Sequence, residues 1–381
     1  MSSSRTSQSP SSVAESAGAG TNAGAGAGGA VGPPPYALGI VGCGTMGIAI
    51  LSGILASSKA FAAAALLQSQ AQQSQAAQSR TDVANEALSE SVADLLGEGG
   101  GEGGEEEERR RMELKYLPST FYACVARQES GRRLKSLFAN EREGEEGSVQ
   151  VVVGDNLLAA RRSDVVLLAC KPHMVADILR EQGMQDALKG KLVISICAGL
   201  RIQQIAACLH PSSTVVRAMP NTPSKIREGM TVLTPLPPLS SSSSSSSSSH
   251  AQSRSRLLSI FNAIGKCRFL DEKHFDAATA LAGSGPAFAC VFLEAMADGG
   301  VMMGLPRKEA LELAAQSMQG AARMVLQSGA HPASIKDSVT TPGGCTIAGL
   351  LNLEDGKVRS TVARTIQAAA EHAAGLGQVK K

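Results

Sequence analysis

Gly39-Ile40-Val41-Gly42-Cys43-Gly44-Thr45-Met46-Gly47, or GIVGCGTMG, is the stretch whose reading decides the fold. Leu38–Val41 before the turn is an apolar run of strand length, and Gly44–Ala56 carries a helical pattern after it. Gly42, Gly44 and Gly47 stand in GxGxxG spacing between the two. The first glycine suits a tight turn, the second lets the main chain approach a pyrophosphate, and the third lets helix meet strand closely. The helix that follows offers unpaired amides and a positive dipole end to the phosphates.

Further apolar runs lie at Phe121–Ala126, Val149–Val153, Val165–Cys170, Leu192–Cys197, Val215–Met219 and Thr231–Leu233, with helical patterns such as Asn156–Arg162, Met174–Glu181 and Ile202–Cys208 between most of them. Strand and helix in alternation predict a Rossmann-type α/β fold, a doubly wound parallel sheet. The second strand should return within about 30 residues of the first. Phe121–Ala126 comes too late for that, and removing the low-complexity stretch 60–113 restores the spacing. An insertion in the loop after the first helix lies away from the carboxyl ends of the strands, where added length costs little.

An NAD enzyme would carry Asp or Glu at the end of the second strand; this chain reads Ala126-Arg127-Gln128, with Arg132 and Arg133 following. A guanidinium at Arg127 suits the 2′-phosphate of NADP, so NADPH is the expected cofactor; Glu129 keeps NADH as the alternative. Two further strand ends should line the same crevice, Ala169-Cys170-Lys171-Pro172-His173 and Ile196-Cys197-Ala198-Gly199. Lys171 there reads as charge complement to phosphates rather than as a base, and His173 after Pro172 as a cap.

From about Glu272 the pattern changes. Phe275–Met303, Arg307–Gln327 and Val358–Ala374 read as long helices of Ala, Leu and Met with no strand signal between them. The predicted organisation is a tail at 1–35, an NADP-binding domain at 36–271 and an all-helical domain at 272–381. Ala289–Met303 is apolar almost all round, which calls for burial against another subunit and predicts a homodimer or higher homo-oligomer. The tail, 60–113 and 235–252 (with its Ser240–Ser249 tract) have compositions that cannot offset ordering entropy, and are expected to be disordered.

Composition excludes several classes. A formal net charge of +2 across 381 residues and 3% aromatics leave no basic, aromatic-laced surface for nucleic acid. The 8 Cys occur singly, without a CxxC pair, and the 6 His are scattered. That argues for reduced thiols in a reducing compartment, the cytoplasm, and against a metal site. No uninterrupted apolar run of about 18 residues is present, so no spanning helix is expected. The tail carries Arg5 and Glu15 as its only charges and lacks the basic start and apolar core of a signal peptide.

The later motifs resemble one family. Leu281–Arg307 (LAGSGPAFACVFLEAMADGGVMMGLPR) and Lys336–Leu350 (KDSVTTPGGCTIAGL) are similar to the C-terminal signature of pyrroline-5-carboxylate reductases. VVLLACKPH, VISICAGL and VVRAMPNTPSKIREG (Val215–Gly229) match in order, and the resemblance covers 36–59 and 114–375 apart from the serine tract. Carried over position by position, it places nucleotide contacts on Val41, Gly42, Cys43, Gly44, Thr45 and Met46, on Asn156, on Ala169 to Pro172, and on Ile196, Cys197 and Ala198. It places substrate contacts on Glu272, Ser338 and the Thr341–Thr346 loop. The chain departs from the family in Ser338, where Asn is common, in Cys345, where Thr or Ala is common, and in its two insertions.

The resemblance implies a five-membered cyclic imine bearing one carboxylate, 1-pyrroline-5-carboxylate, reduced to L-proline. Thr341-Pro342-Gly343-Gly344-Cys345-Thr346 opens a helix whose amides at Gly344, Cys345 and Thr346 would hold a carboxylate without any Arg. Thr346 is then the candidate proton donor or relay to the ring nitrogen. Gly283-Ser284-Gly285-Pro286 interrupts a helical stretch at a cost in stability, which points to close approach of the substrate or of the loop Met219–Pro223. A β-hydroxyacid-type dehydrogenase shares the overall plan but needs a catalytic Lys, and the stretch Gly283–Asp298 has none. A non-catalytic NADPH-binding protein is the remaining alternative, disfavoured by Thr346.

Overall fold

The structure, a computed structural model, describes residues 35–78, 116–141, 147–238 and 244–376. Among the described residues eight strands form one sheet: β1 Ala37–Val41, β2 Thr120–Val125, β3 Ser148–Val153, β4 Val165–Leu168, β5 Leu192–Ser195, β6 Thr214–Met219, β7 Gly229–Leu233 and β8 Gly265–Phe269. Their order is β3-β2-β1-β4-β5-β6-β7-β8. The chain moves outward from β1 through β2 to β3, then returns to place β4 on the other side of β1, so winding reverses between β1 and β4. A crevice opens there, outside the carboxyl ends of the strands.

Side chains alternate across the sheet and both faces are covered. Leu38 and Ile40 of β1 pack with Ile50, Leu51 and Ile54 of helix Thr45–Gln78 and with Leu257, Ile260 and Phe261 of helix Ser244–Asn262. Val41 and Leu168 face the other way, onto Val175, Leu179, Leu188 and Ile205. Phe121, Phe261 and Leu38 are wholly buried, each contributing about 1.5–3 kcal/mol of apolar transfer. Local signals fix the helix starts: Asp155 Oδ1 accepts the Leu158 amide at 2.7 Å at the start of Asn156–Arg162.

Three expectations from the sequence need correction. The run Thr231–Leu233 was expected to join a parallel sheet, but β7 is antiparallel to β6, and β8, which has no clear sequence signal, is parallel to β7. The first helix does not stop near Ala56; it continues to Gln78, into the first part of the segment expected to be disordered, because alanine-rich sequence favours helix. Of the second such segment, 244–252 belong to helix Ser244–Asn262. Burial of Leu257, Ile260 and Phe261 anchors that helix and propagates it back through the serines, with His250 Nε2 hydrogen-bonded to the Pro237 carbonyl at 3.2 Å. Among the described residues one helical stretch, Glu272–Met302, has the length and composition of a membrane span, a test that core helices of soluble proteins also pass. The tail up to 34, residues 79–113 and 239–243 lie outside the described residues.

From Glu272 the chain is helical: Phe275–Ala278, a π turn Thr279–Gly283, then Gly285–Met302, Arg307–Ser328, Pro332–Ser338, Cys345–Asp355 and Val358–Leu376. Gly285–Met302 packs on Arg307–Ser328, and Val358–Leu376 packs back on Phe275–Ala278. Only alanines are buried in the two long helices, Ala297, Ala310 and Ala314. Met302 is 82% exposed, and Val291, Leu313 and Leu326 are each more than half exposed. This half of the chain has almost no core of its own, so its apolar faces require a second surface.

Candidate active site

The three glycines of the turn have three separable roles. Gly42 has φ +80, and a Cβ there would lie 2.6 Å from the Cα of Cys170, so no side chain fits. A Cβ on Gly47 would press at 3.2 Å on Ile40 of β1, so this glycine brings helix and strand together. A Cβ on Gly44 would meet nothing closer than 3.8 Å. Space is thus left where a pyrophosphate would approach the main chain, and the residues fit the dinucleotide that the motif implies.

The turn is fixed from β2: the Cys124 carbonyl accepts the amides of Gly42 at 3.1 Å and Cys43 at 2.8 Å. The Cys124 thiol donates to Asn156 Oδ1 at 3.1 Å, which brings Asn156 beside the turn. Ile48 makes the first bond of the helix, to the Gly44 carbonyl, so the amides of Thr45, Met46 and Gly47 precede that bond at the positive end of the dipole. Ala169 to Pro172 continue β4 and Ile196 to Ala198 continue β5, with Lys171 and Ala198 exposed and Cys197 buried. Arg127 is the exposed N-cap residue of helix Gln128–Leu137, at the end of β2. Burial pushes the Cys43 thiol up to about 12 and the Cys124 thiol up to about 11, so both are neutral and no thiolate faces the phosphates.

The residues expected to contact substrate lie in the helical half. Gly343 has φ +68, and Gly344 is the N-cap of helix Cys345–Asp355 without a side-chain cap. The Thr341 hydroxyl sits under Gly344, where a Cβ would come within 2.5 Å of it. Thr341 and Cys345 are exposed and Thr346 half-buried. Ser338 donates to the Ile335 carbonyl at 2.7 Å within its own helix turn. Glu272 stands apart from this loop in its bonding: its Oε1 accepts both Arg217 Nη1 at 2.8 Å and the Ile202 amide at 2.9 Å. It borders a cavity of about 360 Å³ with Arg201, Arg217, Lys273 and Ala373.

Two residues were missed in the sequence. Arg217, a charge in the middle of the apolar run VVRAM, is nearly buried and also lies 4.8 Å from the Phe275 ring centre. Its interruption of a buried strand was the available signal. Asn221 donates to the Ala282 carbonyl and accepts the Met230 amide, both at 2.9 Å, and Thr279 donates to the Met219 sulfur. The Met219–Pro223 loop therefore does meet the stretch leading into Gly283–Pro286, as the misplaced glycines and proline implied.

A doubly wound sheet with an open glycine turn, followed by helices lacking their own core, defines a dinucleotide-dependent oxidoreductase that forms a homo-oligomer. Comparison with known proteins agrees. Residues 272–376 match the family model for pyrroline-5-carboxylate reductase dimerisation, and 112–199 match that for coenzyme F420-dependent NADP oxidoreductases. A pyrroline-5-carboxylate reductase of Lophium arboricola is 45% identical over 352 residues, covering 90% of this chain and 93% of the relative. One from Schizosaccharomyces pombe is 41% identical over 341 residues, with 89% and 98% covered. Among solved structures, a pyrroline-5-carboxylate reductase from Coxiella burnetii superposes with a TM-score of 0.63 at 24% identity, covering 91% of this chain and all of the other. The Plasmodium falciparum pyrroline carboxylate reductase with NADP bound gives 0.59 at 23%, covering 90% and 98%. The chain belongs to the pyrroline-5-carboxylate reductase family.

Proposed function

We propose that this chain reduces 1-pyrroline-5-carboxylate to L-proline with NADPH, the last step of proline biosynthesis, working as a homodimer or higher homo-oligomer in the cytoplasm. The observation that carries the reading is the helix start at Gly344–Thr346: main-chain amides with no side-chain cap, in a chain that also holds a nucleotide turn open at Gly44. Residues 36–271 serve as the NADP-binding domain and 272–381 as the domain for dimerisation and substrate.

The bound cofactor supplies a hydride to the imine carbon. The amides of Cys345 and Thr346 hold the substrate carboxylate, while the Gly344 amide, expected to join them, is turned to the Thr341 carbonyl at 3.1 Å; the Thr346 hydroxyl donates to the ring nitrogen as proton donor or relay. Thr341 shapes the loop from beneath Gly344, while Ser338 and Glu272 complete the substrate contacts. Val41 to Gly47, Asn156, Ala169 to Pro172 and Ile196 to Ala198 line the nucleotide crevice, and Arg127 takes the 2′-phosphate. The exposed apolar faces of helices Gly285–Met302 and Arg307–Ser328 receive the second copy. Eight free cysteines support a reducing compartment.

NADPH consumption by the purified protein, measured with and without pyrroline-5-carboxylate, tests the reading. Consumption only when the imine is present, with L-proline as product, is expected. Turnover of a β-hydroxyacid instead, or nucleotide binding without any turnover, would overturn it.

A further inference from the structure

The parallel register of β4 and β5 pairs Leu168 with Ser195. Continued two residues beyond the ladder, it sets Cys170 opposite Cys197, just past the carboxyl ends of both strands. The ladder itself closes with the bond from the Ile196 amide to the Leu168 carbonyl at 3.0 Å, and beyond it the two residues are brought together by a side-chain contact. Cys197 Sγ donates to the Cys170 carbonyl at 3.2 Å and to the Leu168 carbonyl at 3.5 Å. Cys170 and Cys197 face the same apolar cluster, on the same side of the sheet. Neighbouring strands run about 4.8 Å apart, and bridged cysteines need Cα atoms roughly 4.4–6.8 Å apart, so the pair has the spacing of a disulfide without moving a strand.

We propose that Cys170 and Cys197 form a redox modification site, closed to a disulfide by a hydroperoxide and opened by a dithiol, which controls access of the dinucleotide. This rests on the nucleotide-binding part of the proposed function, not on the identity of the imine. One thiol attacks the peroxide oxygen, giving a sulfenic acid and releasing an alcohol, or water from hydrogen peroxide. The second thiol then displaces water from the sulfenic sulfur. Two thiols and one hydroperoxide become one disulfide, one alcohol and one water, so the two electrons that reduce the peroxide come from the two sulfurs.

The link to function is steric. The Gly42 position lies against the Cys170 backbone closely enough that a single added Cβ would overlap it. A disulfide fixes the side chain of Cys170, whose Cα and Cβ form the surface on which the glycine turn rests, in a rotamer turned toward β5. Cys43 and Cys124 flank the same turn, but the Cys124 thiol is occupied by Asn156 and burial holds both thiols protonated.

The intact protein, treated with a modest excess of hydrogen peroxide and then alkylated, can be digested without reductant and its linked peptides mapped by mass spectrometry. NADPH affinity is measured in parallel by nucleotide fluorescence. A peptide joining Cys170 to Cys197 is expected, with affinity reduced about tenfold or more, restoration by dithiothreitol, and protection by NADP+ added beforehand. C170S and C197S should each lose the linked peptide, and each should keep its own untreated affinity after peroxide. A Cys43–Cys124 link, no link at all, or a Cys170–Cys197 link that leaves affinity unchanged overturns the proposal. None of these readouts uses pyrroline-5-carboxylate, so failure of the imine reading is seen separately, in turnover.

Discussion

Arg217 on β6 and Glu272 at the head of the helical half are joined by a 2.8 Å ion pair, and the same carboxylate oxygen receives the Ile202 amide at 2.9 Å. Arg217 is 11% exposed in its side chain and Glu272 32%, so one end of the pair is shielded from water and the other partly hydrated. Removing the carboxylate leaves a guanidinium nearly buried without its partner. Glu272→Ala is therefore expected to cost about 2 kcal/mol, below the roughly 3–5 kcal/mol for breaking a fully buried pair because the Glu272 end is partly hydrated. Urea unfolding midpoints measure it, and a change under about 0.5 kcal/mol would mean that the pair is solvated like a surface bridge.

The glycine turn separates folding from binding. Gly42→Ala must adopt a left-handed φ and overlap Cys170, so it should lower both stability and NADPH affinity. Gly44→Ala has room in the folded chain, so its unfolding midpoint should hardly move while NADPH affinity falls about tenfold, roughly 1.4 kcal/mol. Equal loss of stability in the two variants would count against an open phosphate seat at Gly44.

Arg127 stands exposed at the end of β2, where the ribose would lie. Arg127→Ala should raise KM for NADPH about tenfold, the loss of one charge-assisted contact, and leave KM for NADH nearly unchanged. Equal losses with the two cofactors would remove Arg127 from the 2′-phosphate.

Thr346→Ala should lower kcat about 100-fold, within the range for one positioned proton donor, with NADPH affinity intact. Thr346→Ser should recover much of the rate. If serine rescues nothing while alanine and serine variants unfold alike, the hydroxyl only supports its helix.

The Cys43 thiol titrates near 9.0 when unfolded and is pushed up to about 12 by burial. Between those values the unfolded chain has lost the proton that the native chain still holds, so stability falls as pH rises. The slope is about 1.4 kcal/mol per pH unit for this thiol, and below the unfolded value it contributes none. Unfolding free energies at pH about 8 and about 10.5 should show the decline, and Cys43→Ala should lessen it, leaving the share that the buried Cys124 thiol contributes. An unchanged slope in that variant would assign the decline to other groups.

Much of this protein was legible without coordinates because the deciding signals are local. A glycine needing left-handed φ, a strand-length apolar run and an unsupported helix start each act within a few residues, and GIVGCGTMG and TPGGCT carried the nucleotide turn and the loop opening Cys345–Asp355. What long-range contacts alone decide was not legible. The reversal of β7, the helix that runs back into the serines, the grip of Arg217 on Glu272 across 55 residues and the meeting of Cys170 with Cys197 depend on which surfaces come together. Strand direction leaves no mark on side-chain alternation, and a partner distant in the chain changes neither propensity nor period, so only the packed structure could select among the pairings that the same residues allow.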